Sequence, residues 1–163
     1  MNRIELIRWS LQMTEQNTVG LVEDMREIPL TQTTPGGNHP IWILGHLATI
    51  EGQIPAVLFG ETNPVAHWWP LFGMGSEVKT DAALYPSFDE LLGTYRLLRA
   101  GTLKLLDQIG EAGLDRVPKN VPPGFEKEMQ TFGQTLLVIA IHNMQHAGQI
   151  ADTRRAAGRK PRI

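Results

Sequence analysis

The 163-residue sequence contains no cysteine. This absence excludes a disulfide framework, a thiolate metal site and a cysteine nucleophile, so any metal ligands must be nitrogen or oxygen atoms. The N-terminus lacks an apolar run of signal-peptide length, and no uninterrupted apolar stretch approaches about 18 residues. We therefore expect a soluble, cytoplasmic protein without a membrane segment.

A large excess of charge of either sign is also lacking. The formal net charge is −2 and the isoelectric point is near 6.2. These values predict no general affinity for nucleic acid or for anionic lipid. The chain length fits a single domain over residues 1–163.

The sequence shows no convincing strand, no internal repeat and no low-complexity tract. Apolar residues instead recur at steps of three and four, which is the period of amphipathic helices. The first predicted helix runs from Asn2 to about Glu27, and the second begins between residues 38 and 40 and ends between residues 54 and 59. The third runs from Ser87 to Gly110 or Gly113, and the fourth from Thr131 to Gly158. Because each apolar stripe must be buried against the others, the pattern predicts an all-α four-helix bundle.

Several helix ends carry recognisable signals. Residues 87–90 form a capping box at the start of the third helix, and Thr131 with Gln134 does the same for the fourth. Asn38 is the expected N-cap of the second helix. Pro55 should kink or end that helix, because it lacks an amide hydrogen and clashes with the preceding turn.

Long connections argue against a simple up-down-up-down order. Residues 60–86 have no clear period and contain Trp68, Trp69 and Phe72. A parallel pair of helices would need such a crossover, and residues 113–129 form a second, proline-rich connection. We hypothesise that the crossover aromatics form a wall or lid over a functional site. The alternative is that they seal the end of the bundle.

Two histidines in the fourth helix, His142 and His146, lie four residues apart. On one helix such residues share a face, with Cβ atoms about 5–6 Å apart, so their imidazoles can reach a single metal ion. They could instead be core residues with hydrogen-bonded ring nitrogens. A third ligand from a facing helix would favour a metal, and His46 lies within the second helix.

The segments NHPIWILGHLATIEG and IHNMQHAGQI resemble the DinB/YfiT-like superfamily. PLFGMGSE, YPSFDELL and the LDRVP loop extend the likeness over nearly the whole chain. The resemblance implies a four-helix bundle in which one histidine of the second helix and the H-x-x-x-H pair bind a divalent metal. His46, His142 and His146 are the implied ligands.

The same resemblance implies an activity. Characterised relatives include thiol-dependent S-transferases and a thiol-dependent isomerase. A metal-dependent enzyme is therefore expected, with a small-molecule substrate, a low-molecular-weight thiol as cosubstrate and a homodimeric assembly. This sequence has no independent signature for the thiol.

Other metal motifs do not fit the sequence. A zincin needs a glutamate directly after the first histidine, where this chain has Asn143. A di-iron bundle needs Glu-x-x-His pairs, which are missing. Three neutral imidazoles leave an open coordination position, as in catalytic zinc sites. Zinc or nickel is favoured, and iron or manganese would also accept these ligands.

Other polar residues have simpler explanations. His39 and His67 lie in predicted loops and are not expected to be ligands. Glu51 should face solvent or support a ligand rather than bind the metal. Basic residues near the C-terminus complement the helix dipole, and they are Arg154, Arg155, Arg159, Lys160 and Arg162.

Three functions of different classes stay open. The protein could be a metalloenzyme in which the metal activates a bound water or thiol. It could be a non-catalytic, stress-related metal-binding protein. It could also be a helical interaction module whose histidines are structural.

Overall fold

A computed structural model describes residues 1–161, and in this range the protein is helical without any strand. Two short 3₁₀ turns, Ala66–Trp68 and Ala82–Leu84, lie in the crossover. The α-helices are α1 (Arg3–Glu23), α2 (Pro40–Phe59), α3 (Trp69–Phe72), α4 (Phe88–Gly113) and α5 (Phe132–Ala156). The predicted all-α bundle is confirmed, with α1, α2, α4 and α5 as its long helices.

The helix directions follow from contacts near the helix ends. Asp24, just after α1, accepts a hydrogen bond from Arg154 near the end of α5, so α1 and α5 run parallel. Arg3 at the start of α1 pairs with Glu111 near the end of α4, so these helices are antiparallel. Both α4 and α5 pack against α1 and against α2.

The start of α5 lies beside the end of α2, because the rings of Phe59 and Phe132 meet edge to face at 5.1 Å. These two helices are therefore antiparallel, which makes α2 parallel to α4. The crossover of residues 60–87 joins this parallel pair, as its length predicted.

Polar residues form a layer across the middle of the bundle. Buried apolar residues fall into two clusters, one towards the C-terminal end of α1 and the other towards its N-terminal end. Between them lie Thr14 and Thr18 of α1, Arg99 of α4 and the histidines of α5, and both threonines are buried. The bundle core is therefore polar at this level.

The expectation that Glu51 faces solvent is wrong. Glu51 is fully buried and accepts two hydrogen bonds from Arg99, at 2.9 Å and 2.8 Å. The third guanidinium nitrogen, Nη1, donates to the backbone carbonyl of Leu11 at 2.6 Å. Since α2 is buried on most of its circumference, a residue five positions after His46 points into α4 rather than into water.

The expected N-cap of α2 is also wrong by one residue. His39 is the cap, and its Nδ1 accepts the amide hydrogen of Trp42 at 3.1 Å. Its Nε2 must then carry the hydrogen and donate to the carbonyl of Lys79 at 2.7 Å. Asn38 instead donates to Gln149 of α5 at 3.2 Å. An imidazole was missed as a cap because Asn is the commoner acceptor there.

The other helix ends agree with the sequence in most respects. Ser87 and Thr131 each accept the predicted amide hydrogen, although the reciprocal side-chain bond of a capping box is found at Asn2 of α1 instead. Helix α2 continues through Pro55 and ends at Phe59, within the predicted range. Helix α4 breaks at Gly110, whose φ of 62° suits glycine.

The basic residues at the end of α5 form ion pairs. Arg154 and Arg159 both donate to Asp24, at 2.7 Å and 3.2 Å, and Arg155 pairs with Asp152. The two pairs with Asp24 attach the end of α5 to the end of α1, whereas the Arg155 pair lies within α5, and all of them add to any effect on the helix dipole. Arg162 lies outside the described residues.

Helix α2 is the one helix among residues 1–161 that is long and apolar enough, by length and composition, to cross a membrane. Its mean hydropathy is 1.3 over the tested window, and 78% of that window is buried inside the protein. A buried core helix passes the same test. Its burial in the bundle explains its apolar composition.

Candidate metal centre

The structure brings the three predicted histidines together. His46 projects from α2, and His142 and His146 project from α5. Their ligand atoms all lie within 4.8 Å of one another, and the Nε2 atom of His142 is 3.1 Å from the Nε2 atoms of both other rings. Tetrahedral zinc with bonds of 2.0–2.1 Å would hold nitrogen ligands about 3.3 Å apart. The observed spacing is close to that value.

Hydrogen bonds fix the tautomers of two of the rings. The Nδ1 atom of His46 lies 2.7 Å from the carbonyl oxygen of Phe72, and Nδ1 of His146 lies 2.8 Å from Oε1 of Gln149. Because both oxygens can only accept, both Nδ1 atoms must donate hydrogens. Each neutral ring then directs the lone pair of its Nε2 atom into the cluster.

The resulting arrangement fits a cation. Without one, two lone pairs converge on His142, which has at most one Nε2 hydrogen to share between them. A divalent cation would satisfy all three Nε2 atoms at once. The Nδ1 atom of His142 is buried and makes no hydrogen bond to the described residues, so the surrounding side chains alone orient this ring.

Burial keeps the three imidazoles neutral. His46 and His146 are 3% and 7% exposed, and His142 is half-buried. Desolvation, together with a smaller effect of nearby imidazoles, lowers the pKa of His46 to about 4 and that of His142 to about 3. Burial lowers the pKa of His146 as well. Neutral imidazole is the form that binds a metal.

The crossover packs directly on α2 beside His46. A Cβ atom at Gly45 would lie 2.3 Å from the ring of Phe72, so only glycine allows this approach. The indole of Trp42 stacks on His46 at 4.8 Å, with 8° between the planes, and donates to Ser76 at 3.0 Å. The glycine and the tryptophan thus hold the Phe72 carbonyl in place to receive the His46 hydrogen.

A mainly apolar cavity of about 500 Å³ opens beside His142. Helix α2, the crossover, the 114–131 connection and α5 all contribute to its wall. Neither His46 nor His146 lines it. Representative lining residues are Ile50, Trp69, Met74, Phe125, Met129 and Ile139.

The hypothesis about the crossover aromatics holds for one of them. Trp69 lines the cavity, whereas Trp68 and Phe72 are buried in the bundle core. Phe72 nevertheless serves the site through its backbone carbonyl. The crossover is both a wall of the cavity and a support for the histidine cluster.

Two supporting groups were missed in the sequence. Gln149 lies one turn after His146 on the same face, so its spacing could have indicated a hydrogen-bond partner for that ring. The Phe72 carbonyl is a backbone group, and no residue type marks it. His39 and His67 stay outside the cluster, the first as a helix cap and the second exposed in the crossover.

The fold and the site together define a helical-bundle protein with a buried cluster of three histidines that could bind a metal. The family model of the DinB superfamily matches residues 10–150, a range that includes the three histidines, Phe72 and Gln149. The protein therefore belongs to the DinB superfamily, as its motifs indicated. A comparison with curated proteins found no match.

Proposed function

We propose that the protein binds one divalent metal ion through the Nε2 atoms of His46, His142 and His146, and that it is a metal-dependent enzyme of the thiol S-transferase type or a related one. The convergence of two oriented lone pairs on His142 is the observation that carries the proposal. Membership of the DinB superfamily supports it.

The chain's own residues hold and orient the ion. The Phe72 carbonyl and the Gln149 amide keep the rings of His46 and His146 in the metal-binding tautomer. The Trp42 indole restricts rotation of the His46 ring by stacking on it. When bound, a divalent cation would lower the pKa of a coordinated water or thiol and so supply a nucleophile near neutral pH. Zinc or nickel is the proposed ion, with iron or manganese as alternatives.

The cavity favours an enzyme over a storage or structural site. Structural zinc sites are closed by four protein ligands, whereas three protein ligands leave a position for water or substrate. The cavity reaches the cluster at His142, so a small molecule could approach that position. A metal-binding protein without catalysis is the alternative, and such a protein has no need of this cavity.

Two measurements test the proposal. Elemental analysis of protein purified without a histidine tag should give one divalent ion per chain. Turnover with panels of thiols and electrophiles should cease on chelation and return when the metal is restored. Activity that survived complete metal removal, or loss of His142 and His146 together, would rule out a metal-dependent mechanism.

A further inference from the structure

The charges around the cavity are the starting point for its ligand chemistry. Among the described residues that line it, there is no lysine or arginine, and Glu128 at the exposed rim is the one carboxylate. The α5 wall contributes no formal charge, because residues 132–151 contain no Asp, Glu, Lys or Arg. An anionic group in the cavity would therefore lose its hydration without gaining a cationic partner from the protein.

The apolar side chains at the cavity mouth are unusually exposed. Trp69 is 38% exposed, Met74 57% and Ile141 68%. All three line the same cavity, so an apolar occupant would remove their surface from water. Thioethers from Met74 and Met129 can adapt their shape to such an occupant. A volume of about 500 Å³ is that of a small-molecule site.

The polar groups of the lining are few and neutral apart from Glu128. Gln53 and Gln145 offer amide groups, and Thr135 offers a hydroxyl. These groups could orient an uncharged ligand by one or two hydrogen bonds, but they cannot neutralise a carboxylate. The cavity thus differs from a site built for peptide-like thiols, which carry carboxylates away from the sulfur.

We propose that the cavity beside His142 binds a substrate with an apolar, uncharged body, and that it discriminates against substrates whose body carries a carboxylate. The proposal deepens the function above and rests on it in one respect, the placing of the reacting group at the metal beside His142. Apolar burial supplies the affinity, and the absence of a cationic side chain from the lining, away from the metal beside His142, supplies the selectivity.

The probe for the test is N-phenyl-1-naphthylamine, an uncharged dye whose fluorescence rises in apolar surroundings. The metal-loaded protein should bind it saturably. Three competitors share a thiol and a six-carbon chain but differ at the far end: 1-hexanethiol, 6-mercapto-1-hexanol and 6-mercaptohexanoate. We expect hexanethiol to compete best and mercaptohexanoate to be weaker by about tenfold or more. Equal competition by the carboxylate and by hexanethiol would overturn the proposal.

A cavity-filling variant locates the binding. Val138 is a half-buried lining residue of α5, and Val138→Trp should weaken dye binding by about tenfold or more while the metal content is kept. Leu97→Trp is the matched control, because Leu97 is 73% exposed on α4 and does not line this cavity. If Val138→Trp loses its helical circular dichroism, Ile50→Phe tests the same cavity from α2. Unchanged dye binding in a folded cavity variant would sink the proposal.

The outcomes separate the two proposals. Protein that contains metal but binds no dye would overturn the cavity proposal and leave the metal centre intact. Protein that never contains metal, yet binds the dye with the expected preference, would overturn the proposed function and support the cavity.

Discussion

The imidazole of His46 donates its Nδ1 hydrogen to the backbone carbonyl of Phe72 at 2.7 Å. A histidine of the bundle is therefore oriented by a residue of the crossover, 26 positions later in the chain. The bond leaves the Nε2 lone pair of His46 directed at His142 and His146. The proposed metal binding by α2 and α5 consequently depends on how the crossover packs.

Replacing any one of His46, His142 and His146 by alanine should abolish stoichiometric metal binding. We expect a loss of affinity greater than the roughly 10–100-fold that follows from losing a supporting hydrogen bond. His67→Ala is the control, because His67 is exposed and outside the cluster. Elemental analysis checks the result, and full occupancy in His146→Ala would refute the assignment.

The supporting role of Gln149 predicts a graded effect. Gln149→Ala keeps all three ligands but removes the acceptor for Nδ1 of His146, so metal affinity should fall about 10–100-fold. Gln145→Ala, on the same helix, lines the cavity and should leave the affinity nearly unchanged. Titration against a competing chelator measures both. Identical affinities for the two variants would contradict the role assigned to Gln149.

A methyl group at Gly45 should disturb the crossover. In Gly45→Ala the new Cβ would lie 2.3 Å from the buried Phe72 ring, and the overpacking should lower the free energy of unfolding by about 1–3 kcal/mol. Metal affinity should also fall, because displacement of the Phe72 ring moves the backbone carbonyl that orients His46. Gly93→Ala in α4 is the control: its added Cβ meets nothing within 4 Å, and it should stabilise the helix by about 0.5–1 kcal/mol. Urea unfolding compares the two.

The buried pair of Glu51 and Arg99 should matter for stability rather than for metal binding. Arg99→Met leaves the Glu51 carboxylate buried without its partner, which should cost about 3–5 kcal/mol. The double variant Glu51→Leu with Arg99→Met removes both charges and should recover much of that loss. Chemical denaturation with metal analysis tests this, and a double variant less stable than Arg99→Met would count against the explanation.

Tryptophan fluorescence should report on metal removal through Trp42. Its indole stacks on His46, so a change in that imidazole alters the surroundings of the fluorophore. Chelation should change the emission of the wild type. It should change that of the control variant Trp9→Phe as well, because the replaced Trp9 side chain is 53% exposed. In Trp42→Phe the change should be much smaller. Circular dichroism checks that helicity is unaltered. An equal response in both variants would show that the fluorescence change does not come from Trp42.

The parts of the fold that depend on local periodicity could be predicted from the sequence. The stripe containing His142 and His146 required a helix, and the motif around His46 supplied the third member of the cluster. Capping at Ser87 and Thr131 is equally local. These features need only the helical repeat and short-range hydrogen bonds.

Features that depend on packing between distant segments could not be predicted. The partner of Glu51 is Arg99, 48 residues away, and only the arrangement of α2 beside α4 brings them together. The contact of Gly45 with Phe72 depends on the path of the crossover. Tertiary packing also decides the choice of His39 over Asn38 as a cap, because Asn38 bonds to α5 instead. The single domain, the cytoplasmic location and the homodimer stay predictions.

The separation of the three histidines along the chain sets an order of assembly. During synthesis, α2 and the crossover emerge first, and the segment that carries His142 follows 96 residues after His46. A nascent chain that stops before α5 holds one oriented imidazole and cannot retain an ion with it. If the protein binds metal as proposed, uptake has to wait for the last helix to dock, and a cell that limits free metal would load only finished molecules.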